Sequence, residues 1–163
     1  MSVEIEYRWT DIGKSFHKKL TEFAKKGVYV GFPDSAGTHK RKGPKKSKKD
    51  GKQAQSVTVA QVAAWNEFGT IHMPARPFMK QTVTENKEKF GEMMKLAGQE
   101  VLQGADTTEA LNKVGVVAKA LMQKQIDEGS FAPNAPSTIK MKGSSKPLID
   151  TGQMRQSVNY VVR

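Results

Sequence analysis

Between Asp106 and Gly129 the apolar residues Leu111, Val114, Ala118, Leu121, Met122 and Ile126 recur at helical spacing. Asp106 with Glu109 forms a capping-box pattern at one end, and Gly129 stops the run at the other. A helix apolar on one side must bury that side against something. The rest of the chain therefore has to supply the layers that cover it.

Those layers are readable from both sides of the stripe. Val3, Ile5 and Tyr7 alternate with Glu4, Glu6 and Arg8, the pattern of a half-buried strand. Thr10 or Asp11 can cap a helix whose stripe is Ile12, Phe16, Leu20, Phe23 and Ala24, with Gly27 as its stop. Residues 28–32 read as a second strand ended by Pro33. Residues 59–68 read as a short helix held by Val62, Ala63 and Phe68 and ended by Gly69. One long helix is expected from Arg76 or Pro77, with Met79, Val83, Phe90, Met94, Ala97 and Val101 on one face. Residues 131–136 read as a Pro-rich loop. A short helix is expected from Asp150 or Thr151 with Asp150 as its N-cap, then a last strand over 157–162. The sum is one α+β domain over residues 1–163: a small antiparallel sheet packed against three or four helices, with a long basic loop.

That loop carries most of the charge. The whole chain has a formal net charge of +11, and residues 40–52 alone hold +7 of it through Lys40, Arg41, Lys42, Lys45, Lys46, Lys48, Lys49 and Lys52 against Asp50. The segment has no apolar side chain to bury, so a flexible insertion is expected over 34–56. Three roles fit it. It can meet a phosphate backbone without reading sequence, fold on an acidic protein surface, or only be solvated. No aromatic residues are interleaved for base stacking.

Catalytic and cofactor chemistry finds no footing. Gly13-Lys14-Ser15 lacks the earlier glycine of a phosphate loop, because Arg8 stands there. His17, His39 and His72 are scattered without ligand spacing. The chain has no cysteine and no run of about 18 apolar residues. Met93, Met94, Met122 and Met154 fit core or contact-surface filler better than a cofactor box. No cofactor and no metal are expected.

Two segments instead join apolar residues to stiff turns: Trp65-Asn66-Glu67-Phe68-Gly69-Thr70 with Met73-Pro74-Ala75-Arg76-Pro77-Phe78-Met79, and Lys146-Pro147-Leu148-Ile149-Asp150-Thr151-Gly152-Gln153-Met154-Arg155. Pro74 and Pro77 pin the backbone around Arg76. Arg76 can fork onto carbonyls or a carboxylate, or pair with Glu67. Phe68, Phe78, Leu148 and Ile149 are expected to face inward, and Arg155 outward.

Taken in order with Val30-Gly31-Phe32-Pro33 and Pro133-Asn134-Ala135-Pro136-Ser137-Thr138-Ile139, these segments resemble the tail-completion, or head–tail joining, proteins of tailed bacteriophages, also called neck or virion morphogenesis proteins. The resemblance runs from about residue 28 to the C-terminus and gives no guidance for the 34–56 insertion. It implies a small α+β fold, a ring of copies at the head–tail junction, and no enzymatic activity. Its implied partners are the connector on the portal side and the tail-terminator proteins, with assembly in the host cytoplasm and a final place in the virion neck. On this reading Trp65, Glu67, Arg76, Phe78, Met154 and Arg155 are the candidate interface residues, and the cations of 40–52 are candidates to face packaged DNA. No membrane partner is expected. The rival reading is a nucleic-acid-binding module acting through the basic loop without sequence specificity.

Overall fold

The computed structural model describes residues 10–39 and 57–163. Over these the chain is α+β, with seven helices and a two-stranded antiparallel sheet. The elements are α1 (Asp11–Lys25), β1 (Val28–Gly31), α2 (Val59–Phe68), α3 (Phe78–Glu85), α4 (Lys87–Leu102), α5 (Thr107–Glu128), α6 (Pro136–Lys142), α7 (Gln153–Gln156) and β2 (Asn159–Val162). The expected strand over 3–8 and the cations of 40–52 lie outside the described residues.

The spine is α5. Asp106 accepts a hydrogen bond from the Glu109 N–H at 2.9 Å and so starts the helix where the sequence places it. Its stripe serves two cores at once. Met122 and Ile126 join Val59, Ala63, Phe78, Leu148, Met154 and Val158 in one cluster. Ala110 and Val114 join Ala97 and Val101 in the other. Burying a side chain such as Phe78 or Leu111 contributes roughly 1.5–3 kcal/mol, and both are fully buried. The sheet lies on α5 with Val28 opposite Val162 and Gly31 opposite Asn159. A Cβ at Gly115 would stand 2.2 Å from the Tyr160 ring, so only glycine lets β2 sit this close.

Four expectations need correction. The single long helix is two, α3 and α4, broken at Asn86. Asn86 leaves helical geometry (φ −114°, ψ 19°) and its amide donates to the Thr82 carbonyl at 2.9 Å, so the side chain competes with the helix for its own backbone. The Pro-rich stretch is a loop over 131–135 as expected, but Pro136 opens an unexpected helix, α6, because it occupies the first turn, where a missing N–H costs nothing. Asp150 is not a cap, since α7 begins later, behind Gly152 at φ 75°. Residues 34–39, expected within the flexible insertion, are instead held in place, while 40–56 lie outside the described residues. Thr38 pairs with Thr58 as an isolated bridge, and the His39 N–H donates to the Val57 carbonyl at 2.7 Å. Residues 34–36 form a 3-10 turn.

The apolar stripe of α1 is the oddity. Thr10 caps the helix through the Gly13 N–H, yet none of its residues is buried, and Ile12 is 83% exposed. Only Phe23 reaches a core cluster, the one of Ala97, Val101, Ala110 and Val114, with its ring beside Gly98 of α4.

Candidate assembly surface

The two motif-bearing segments meet, and a buried arginine is the reason. Gly69 ends α2 at φ 75°, where a Cβ would fall 2.8 Å from the Ala75 nitrogen. The chain then closes a tight turn: the Thr70 N–H donates to the Met73 carbonyl at 2.9 Å, and the Thr70 carbonyl accepts from the Met73 N–H at 3.2 Å. Pro74 leads out of the turn, and the Arg76 N–H donates to the Asn66 carbonyl at 2.6 Å. That places the Arg76 side chain inside, 3% exposed.

Its guanidinium donates to neutral oxygens on three sides. Nε reaches the Ala132 carbonyl at 2.8 Å, Nη1 the Asn66 Oδ1 at 3.3 Å, and Nη2 the Pro133 carbonyl at 3.2 Å and the Asn134 Oδ1 at 3.1 Å. The Asn134 amide donates onward to the Ser145 carbonyl at 3.4 Å and the Lys146 carbonyl at 3.2 Å. One planar cation thus ties the end of α2 to the 131–136 stretch and, through Asn134, to the turn before Leu148. Burial lowers the Arg76 pKa. Lys142 supports the same turn, donating to the Lys146 and Pro147 carbonyls at 3.1 Å each. Burial lowers its pKa; Asp150 opposes that shift and Arg76 adds to it.

Glu67 has different work. Its Oε2 accepts from the Met79 N–H at 2.8 Å and its Oε1 from the Lys80 N–H at 2.9 Å. It therefore caps α3, where the first N–H groups have no helical partner. Of the alternatives for Arg76, the fork onto carbonyls is the one that forms, and the pair with Glu67 does not.

Most of the candidate interface residues are therefore interior. Glu67, Arg76, Phe78 and Met154 are buried and cannot be presented to a partner in this conformation. Arg155 does face outward, but its Nε is engaged by the Asp127 carboxylate of α5. Trp65 is half-exposed. Phe68, expected to face inward, is 81% exposed, and Ile71, not singled out in the sequence, is 94% exposed. Trp65 and Phe68 stand three residues apart on α2, on neighbouring positions of one face. Ile71 follows in the turn that Gly69 and Arg76 hold. The result is a short apolar row mounted on a rigid support.

Asn66 and Asn134 are the functional residues that sequence reading passed over. Their side chains are ordinary turn and helix-end amides by spacing alone, and 58 residues separate Asn134 from the arginine it binds. Among the described residues no group of three or more His, Asp or Glu side chains is placed to hold a metal ion. None of the helices there is long and apolar enough to cross a membrane. No family model, curated protein or solved structure matches the chain.

Proposed function

We propose that this chain is a structural, non-enzymatic virion protein of a tailed phage, one copy of a neck ring that joins the head connector to the tail. The observation that carries the reading is the exposed row of Trp65, Phe68 and Ile71 on the frame keyed by Arg76. Exposed apolar side chains grouped on a stiff support favour a protein partner, because burying them costs little ordering entropy. The ordered motifs from residue 30 to residue 158, and their resemblance to tail-completion proteins, support partners of one kind: other copies of the chain, the portal-side connector and the tail terminator. Arg155, outward on α7, is a second candidate contact, where a neighbour's carboxylate can compete with Asp127.

Purified protein mixed with phage heads or tails tests it, by mass photometry and negative-stain imaging. Density added at the junction is the expected result. Binding to neither, with the chain monomeric throughout, would sink the idea.

The charge at residues 40–52 favours a second reading, contact with packaged DNA or with nucleic acid generally. The bridge between Thr38 and Thr58 joins the described chain on either side of residues 40–56. Binding to duplex DNA should then fall steeply with salt, and it should vanish when the cations of 40–52 are neutralised. If neck assembly survives that neutralisation, the basic segment is not the basis of the function.

A further inference from the structure

β1 has an open edge, and its hydrogen-bond pattern shows which residues face it. Gly27 and Arg163 exchange both backbone bonds, at 2.8 and 3.1 Å. Bonded and non-bonded pairs alternate along an antiparallel ladder. Tyr29 with Val161 and Gly31 with Asn159 are therefore the next bonded pairs. Val28 and Val30 turn their N–H and C=O groups the other way, where no strand pairs with them among the described residues.

The same two valines line a cleft of about 360 Å³. Met79 and Val83 of α3 and Phe90 and Met94 of α4 form its opposite wall, above α5. No residue of β2 contributes, so the cleft lies on the open side of β1. It is uncovered: Val83 is 57% exposed. An unpaired strand edge beside an apolar cleft fits an extended segment with apolar side chains at every second position.

The chain contains such a segment outside the described residues. Residues 3–8 put Val3, Ile5 and Tyr7 on one side, and the segment joins α1 at Thr10. We propose that residues 3–8 of a neighbouring copy add to β1 as a third strand, with Val3, Ile5 and Tyr7 filling the cleft. This deepens the ring reading and rests on its premise that copies touch. The direction of α1 argues for the neighbour. α1 packs chiefly on α4 and α5, and its hold on a core cluster is through Phe23. From Thr10 to Lys18 every residue but Gly13 is exposed. Phe23 lies beside Gly98 of α4 and the Lys19 ammonium beside Gly104, just past the end of α4, so α1 runs outward towards its start; Thr10 stands thirteen residues before Phe23, roughly 20 Å along a helix, and so beyond α4. The uncovered stripe of Ile12, Phe16 and Leu20 is then the second surface that the neighbour covers. One contact accounts for the open edge, the cleft and the bare helix together.

The absence of cysteine makes the test direct. Full-length Ile5→Cys and Val83→Cys chains are prepared separately, mixed and mildly oxidised. Their mixed disulfide should form at least about tenfold faster than that of Ile5→Cys with Val116→Cys, a control on the outward face of α5, because docking raises the local concentration of the two thiols. Equal rates would overturn the proposal. So would a chain carrying both Ile5→Cys and Val83→Cys that closes on itself rather than on a neighbour. Either result would leave the ring reading standing, since a ring can also close through Phe68 and Ile71; that reading fails separately, if the chain binds neither heads nor tails.

Discussion

At the scale of single residues, Arg76 carries more of the structure than its neighbours suggest. Its four oxygen partners are all neutral and lie on two separate stretches of chain, Asn66 and residues 132–134. Arg76→Met keeps the volume and strands those acceptors, each a desolvation cost of about 1–3 kcal/mol if water cannot replace the donor. The expected loss is about 3 kcal/mol or more, read as a fall in denaturation midpoint. Arg76→Lys should recover little of it, because one ammonium cannot reach oxygens disposed around a planar fork. A lysine variant as stable as the parent would show that charge, not geometry, matters here. Lys142 gives a pH-dependent counterpart. Its folded pKa lies below its unfolded value, so folding pushes a proton off and carries a cost while both states are protonated. That cost is relieved as pH rises through the folded pKa, and it is gone above the unfolded value near 10.4. The parent should therefore gain thermal stability relative to Lys142→Met as pH climbs towards about 10.4. Melting curves that shift in parallel would contradict the assignment.

At the scale of elements, the helices show which sequence signals survive folding. The stripe and cap of α5 were legible because period and capping are local facts. The break at Asn86 was not, because the apolar stripe from Met79 to Val101 runs straight through it while one amide diverts the Thr82 carbonyl. α6 was hidden by prolines that read as loop but sit at a helix start. The candidate interface was largely inverted for a related reason. Aromatic, proline and arginine spacing marks a stiff segment, but burial is decided by what lies across from it. Nothing near Glu67 in sequence announces that its carboxylate belongs to the first turn of α3. Removing that cap with Glu67→Ala should cost about 1–2 kcal/mol. Amide exchange should speed up first at Met79 and Lys80. Unchanged protection there would mean that the helix start is held by packing of Phe78 alone. Gly115 is a sterner case: Gly115→Ala drives a methyl into the Tyr160 ring, an overpacking cost of about 1–3 kcal/mol. The loss should show as weakened β2 pairing, read from exchange at Val161, whose N–H faces β1.

At the scale of the whole molecule, the buried cation and the exposed row divide the labour. Arg76, Glu67 and Asn134 are buried and shape a support; Phe68 and Ile71 stand in solvent, with Trp65 half-exposed. Substitutions at Phe68 and Ile71 should therefore separate assembly from stability. Phe68→Ser with Ile71→Ser removes two side chains that are 81% and 94% exposed, so unfolding should move by no more than about 0.5 kcal/mol. If the row is the contact that seats the chain at the head–tail junction, the same double variant should lose incorporation into particles by about tenfold or more, since each buried anchor typically contributes over 1 kcal/mol to an interface. Arg155→Ala should weaken incorporation less, because an exposed ion pair is worth about 0–1 kcal/mol. Particle-bound protein, measured by quantitative blot against free protein, ranks the three. Full incorporation of the Phe68–Ile71 double variant, with stability intact, would move the contact elsewhere and leave the uncovered stripe of α1 as the surface to examine next.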